Sequence, residues 1–239
     1  MRIGITFDLK SPDAHGELPD DWQEEFDSPH TIQAIAEALR QQGHEPVLLG
    51  DGRRLIEHLL TDPPDLVFNF AEGEGVSRCR EARVPAVLEM LGIPYTGSDP
   101  LCLAATLDKD VARRLVASHG VAVAPGFLVM PEDEASRLRT SCSFPEAPSV
   151  QAGPRLPSTA TELLAPWSDA VASLRPGQTL AQLETVLATQ GLSFPLIVKP
   201  AWEGSSKGIR QASLVHDLEA LQRAVRQVHR DYRQPALVE

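Results

Sequence analysis

Short apolar runs at residues 2–7, 46–49 and 66–70 alternate with stretches of helical periodicity, and this alternation constrains the fold more than any other feature. In the first helical stretch Ile32, Ile35 and Leu39 fall on one face. Asp27 or Ser28 can cap it, with Pro29 in the first turn, where a missing N–H is harmless, and Gly43 is the stop. Residues 55–60 and the run from Pro85 to Gly92 repeat the pattern. Strands alternating with helices imply an α/β fold, a parallel sheet covered on both faces. Ligands of such sheets sit at the carboxyl ends of the strands, which places Asp8 and the Asn69-Phe70-Ala71-Glu72-Gly73 turn at the mouth of a site.

Beyond Asp99-Pro100 one helical stretch is expected through Leu107 to Ser118, stopped by Gly120, then a strand at 127–130. Residues 131–176 are rich in Pro, Ser, Ala and Thr and weakly periodic, which reads as an insertion or linker. Leu180, Leu183 and Leu187 then line a helix, and Leu218, Leu221, Val225 and Val228 another. Strands are expected at 195–199, 209–214 and 236–239, and no internal repeat is present.

Several function classes are disfavoured. With a net charge of −11 over 239 residues the chain lacks the clustered Lys and Arg of a nucleic-acid binder. Cys79, Cys102 and Cys142 form no C-x-x-C pair, and the seven histidines share no metal-ligand spacing, so no metal site is expected. The histidines are read as surface residues, His119 as a helix C-terminal cation. No window reaches the length of a membrane span, and a cytoplasmic protein with no membrane partner is expected.

Residues 194–209 carry the most chemistry. Lys199 closes a buried strand, and a Gly/Ser-rich turn from Glu203 through Gly204, Ser205 and Ser206 follows. The turn offers backbone N–H groups and hydroxyls at close approach to phosphate, as a lid over a nucleoside triphosphate would. It is not a Walker loop, since Gly208 follows Lys207 and the segment joins two strands. A lysine at a solvated strand edge is the alternative. Arg78, Arg80 and Arg83 read by default as a solvated helical face, with approach to phosphate or a substrate carboxylate as the alternative.

Val198-Lys199-Pro200 with Glu203-Gly204-Ser205-Ser206 and Gly208-Ile209 resembles the lysine-and-serine-loop motif of the D-alanine–D-alanine ligases, which belong to the ATP-grasp superfamily. Residues 90–98 (MLGIPYTGS), Thr106-Leu107-Asp108-Lys109 and Ala124-Pro125 resemble the same family in order and spacing. The resemblance implies a Rossmann-like pre-ATP-grasp domain over 1–104. It also implies the first part of an ATP-grasp α+β domain over 105–130 and 177–239, with 131–176 inserted. It implies that Lys109 and Lys199 contact the α- and β-phosphates of ATP, that Gly204, Ser205 and Ser206 close over the phosphates, and that Glu203 holds the loop. Glu239 would accept the adenine amino group. The implied reaction phosphorylates a carboxylate to an acyl phosphate that an amine then attacks.

The chain departs from the family pattern at three places. The first strand ends Phe7-Asp8 without a glycine-rich turn, so Asp8 is the candidate for the substrate ammonium. A His-Gly pair is replaced by the Ala71-Glu72-Gly73 turn; Glu72 is a second ammonium candidate, and a solvated acidic turn with Glu74 is the alternative. The family's Mg2+ ligands would lie beyond Glu239, so no complete catalytic set is expected in this chain, which reads as a truncated, inactive member. D-alanine or a similar amino acid is the implied substrate, a different amino acid the second reading, and a split half the third. An unpaired strand edge at 236–239 would suit a homodimer.

Overall fold

β1 (Arg2–Thr6) is the centre of the first sheet in a computed structural model that describes residues 1–11, 18–131 and 180–239. It pairs in parallel with β2 (Glu45–Leu48) on one side and β3 (Leu66–Asn69) on the other, giving the order β2-β1-β3. Ile3 and Ile5 are accordingly buried. Gly4 is required at the centre, because a Cβ there would lie 2.4 Å from Leu49 Cδ1.

The chain divides into two compact units, Met1–Val121 with Trp202–Gly208, and Ala122–Ala201 with Ile209–Glu239. In the first, α1 (Pro29–Gln41) is capped by Ser28, whose hydroxyl accepts the Thr31 N–H at 3.1 Å. The other helices are α2 (Gly52–Thr61), α3 (Arg83–Leu91), α4 (Pro100–Leu107) and α5 (Lys109–Ser118). The core gathers Leu49, Leu55, Leu59, Val67, Val84 and Leu88. Burying a side chain of that size contributes about 1.5–3 kcal/mol.

The second unit holds an antiparallel sheet, order β4-β7-β5-β6, from β4 (Phe127–Val129), β5 (Leu196–Pro200), β6 (Leu214–Val215) and β7 (Ala236–Val238). Helices α6 (Leu180–Thr189) and α7 (Leu218–Tyr232) supply Leu183, Leu187, Leu221, Val225 and Val228 to a core shared with Phe127, Leu196, Val198 and Val238. A parallel-sheet unit and a helix-backed antiparallel unit are the expected α/β and α+β parts.

Four expectations are corrected. The helical stretch after Pro100 is two helices: Asp108 leaves helical geometry and its Oδ1 accepts the Asp110 and Val111 N–H groups, capping α5. The strand at 209–214 is a short 3-10 turn, Gln211–Ser213, before β6, because the Ser213 hydroxyl captures the Arg210 N–H at 3.0 Å. β7 is not an open edge; it pairs with β4 and β5 on its two sides. His229 is half-buried, with Nε2 2.9 Å from the Val129 carbonyl, rather than a surface residue. Cys142 and all but Pro131 of the 131–176 insertion lie outside the described residues.

Candidate functional site

The Trp202–Gly208 loop lies against residues of the first unit through buried charge. Arg80 is 2 % exposed, and its Nη2 donates to Glu25 Oε2 at 2.8 Å, Glu25 Oε1 at 3.0 Å and Glu203 Oε2 at 3.1 Å. Its Nη1 donates to the Trp202 carbonyl. Lys207 adds a second cation, 2.9 Å from Glu203 and 3.5 Å from Glu25. The Gly204 N–H donates to Glu25 Oε1, and the Gly208 N–H to Asp21 Oδ2 at 2.8 Å. A Cβ on residue 204 would lie 2.6 Å from that Glu25 oxygen, so glycine is what lets the loop backbone approach.

Burial pushes the Glu25 carboxyl up, but Arg80, Glu203 as hydrogen-bond partner, the Gly204 N–H and Lys207 together hold it below the usual range. Glu203 goes the other way: burial raises it against the pull of Arg80 and Lys207. Arg80 is therefore not a solvated surface residue, which corrects the sequence reading at that position, whereas Arg78 and Arg83 are exposed as expected.

Lys109 opens α5, and its ammonium donates to the Glu203 carbonyl. Its neighbour Asp108 is buried, accepting the Trp202 indole N–H at 3.1 Å and pairing with Arg78 at 2.8 Å. Ser205 and Ser206 stand exposed at the loop tip with φ of 46° and 60°. Left-handed conformations in residues other than glycine cost about 1–3 kcal/mol each and gather at functional sites.

Asp8 and Glu72 meet at the carboxyl ends of β1 and β3. Asp8 Oδ2 accepts the Glu72 and Gly73 N–H groups, each at 2.8 Å, while Oδ1 is buried without a partner. Burial raises the Asp8 carboxyl. Its main visible task is to pin the turn. Burial, with Glu81 and Glu25 nearby, pushes Glu72 up to about 7. Glu72 is thus half-buried, not the solvated acidic turn of the alternative reading. A cleft of about 740 Å³ opens beside Asp8, lined also by Leu55, Ile56, Glu74, Arg83 and Val84.

Glu25, Glu72 and Glu81 bring one carboxylate oxygen each within 4.8 Å of one another, the grouping among the described residues that most resembles a cation site. It does not fit Mg2+. Arg80 already bonds both Glu25 oxygens, which commits that carboxylate to the guanidinium.

In the second unit Lys199 and Glu239 form an ion pair at 2.6 Å. The cause is register: Lys199 sits opposite Leu237, so Glu239 is its diagonal neighbour across the β5–β7 pair. Gly126 makes room, since a Cβ there would lie 2.9 Å from Glu239 Cγ and 2.5 Å from the Val238 carbonyl.

The expected residues thus fall in two groups, Asp8, Glu72, Lys109, Glu203, Gly204, Ser205 and Ser206 in the first unit and Lys199 with Glu239 in the second. Sequence reasoning missed Arg80, Glu25, Asp108 and Glu81. For Arg80 one signal existed: a basic run just before a helix N-terminus opposes the helix dipole and asks for a local reason. Glu25, 55 residues away in an acidic run, carried none.

No family profile matches the chain. The chain is 31 % identical over 215 residues to an uncharacterized protein, y4sG, of Sinorhizobium fredii, covering 86 % of the chain and 47 % of that protein. It is 30 % identical over 191 residues to the D-alanine–D-alanine ligase of Aquifex aeolicus, covering 80 % of the chain and 46 % of the ligase. It spans about half the length of these relatives. The crystal structure of D-alanine–D-alanine ligase from Bacillus anthracis superposes with a TM-score of 0.57 at 17 % identity, covering all of this chain and 57 % of that one, which shows a common ATP-grasp fold. Sequence likeness to the Aquifex aeolicus ligase over 80 % of the chain and the fold shared with the Bacillus anthracis ligase agree with the lysine-and-serine-loop motif: the chain belongs to the D-alanine–D-alanine ligase family.

Proposed function

We propose that the chain supplies the nucleotide-binding part of an ATP-dependent carboxylate–amine ligase, joining D-alanine or a similar amino acid through an acyl phosphate. The observation that carries this reading is the loop: Ser205 and Ser206 stand at an exposed tip with their hydroxyls while Glu203, Gly204 and Lys109 anchor its base. In this reading Lys109 and Lys199 bind phosphate oxygens as point cations, exchanging their present acceptors for ATP. Glu239 takes the adenine amino group. Positioning and charge neutralisation are what phosphoryl transfer asks of a protein. Mg2+ serves the family reaction, and the described acidic trio does not fit it. No described helix is long and apolar enough to cross a membrane.

A second reading keeps the nucleotide chemistry and changes the amino acid; the acidic Asp8–Glu72 turn in place of the family's His-Gly pair favours it. Titration calorimetry with ATP tests the shared part. The intact chain is expected to bind ATP, and Lys199→Met to weaken binding by about tenfold or more, the scale of one charge-assisted contact. Absence of ATP binding by the unmodified chain would sink the reading.

A further inference from the structure

The buried cluster raises the question of why a guanidinium should be sealed beneath a glycine–serine loop. Its bonds answer it. Two of the loop's groups, the Trp202 carbonyl and the Glu203 carboxylate, accept directly from Arg80. A third, the Gly204 N–H, and a fourth, the Lys207 ammonium, reach it through Glu25, whose two oxygens Arg80 also holds. Arg80 therefore contacts the beginning of the loop and, one step removed, its turn. The segment between those anchors contains the two left-handed serines, a geometry that persists only where the surroundings impose it. The Cys79–Ala82 backbone beneath Arg80 is in turn fitted to the glycine turn: a Cβ on Gly73 would lie 2.7 Å from the Arg80 carbonyl. Turn, arginine and loop form one packed stack within the first unit.

We propose that Arg80 is the positioning residue of this loop, setting where the Ser205 and Ser206 hydroxyls stand for the phosphates; the proposal rests on the reading of the loop as the phosphate lid. Arg80 touches no substrate. It acts by clamping Glu203 and Glu25 at fixed places, so that the loop is ordered before ligand arrives. A lysine at the same position would keep the charge but not the forked donor geometry that serves Glu25, Glu203 and the Trp202 carbonyl together.

The test compares the 239-residue chain with Arg80→Lys by hydrogen exchange and by calorimetry with ATP and with adenosine. Expected is a rise of about tenfold or more in exchange of the 203–208 amides while β1, β3 and β5 amides stay within about twofold. ATP affinity should fall about tenfold and adenosine affinity stay unchanged, because only phosphate contacts depend on the loop. A quadruple variant, R80M/K207M/E25Q/E203Q, removes both cations and both carboxylates together and serves if the lysine variant does not fold; the same rise in loop exchange is expected. Loop exchange within about twofold of the unmodified chain in a folded variant would overturn the proposal. So would a rise spread equally over β1 and β3, the mark of a merely structural residue. If the unmodified chain binds no ATP, the lid reading fails, and the exchange comparison still decides what Arg80 does to the loop.

Discussion

Replacing Glu72 by Gln should remove a pH dependence of stability whose sign and size the structure sets. Burial, then Glu81 and Glu25, raise this carboxyl from 4.5 to about 7 in the folded chain. A folded chain thus binds more protons than an unfolded one between those values, and stability is highest below about 4.5 and falls as pH rises through 7. At 1.36 kcal/mol per tenfold the full shift is about 3 kcal/mol. Partial solvent access reduces that to about 2 kcal/mol. Urea denaturation of both proteins from pH 5 to pH 8 measures it. Glu72→Gln should gain about 2 kcal/mol on the parent chain at the upper end and approach it at the lower end. The subtraction reports Glu72 together with its charge coupling to Glu81, Glu25 and Asp8, while groups that do not act on Glu72 cancel. A difference between the proteins that stays flat with pH would refute the burial argument.

Gly73→Ala meets both a left-handed φ of 82° and a 2.7 Å approach to the Arg80 carbonyl, so a loss of about 2–4 kcal/mol is expected by urea denaturation. Asp108→Ala removes the α5 cap and leaves the Trp202 indole N–H without its acceptor. The two together should lower stability by about 2–4 kcal/mol and shift tryptophan emission.

The parallel sheet was legible because its strands are short apolar runs punctuated by glycine, and the cap at Ser28 follows local rules. The 209–214 segment misled because Ile209 and Leu214 look strand-like, whereas a serine hydroxyl three residues from Arg210 closes a turn. For the candidate site, the loop and the strand-borne Lys199 were readable from side-chain type and spacing. The cluster beneath the loop was not. Arg80 and Glu203 lie 123 residues apart, and charged side chains are ordinarily expected at the surface. Only the fold brings enough partners together to hold an arginine at 2 % exposure. Glu72 shows the same limit, since its acidic neighbours suggested solvent while burial decided its chemistry.

The central claim is that Lys109 and Lys199 are the phosphate-binding amines of an ATP site. It is tested most directly with an acyl phosphate of ATP, which transfers its acyl group to an amine standing beside the nucleotide's phosphates. Incubation with the intact chain, followed by peptide mass spectrometry, should find the label on Lys109, Lys199 or both, and excess ATP should abolish it. Label spread over exposed lysines such as Lys10, unaffected by ATP, would contradict the account.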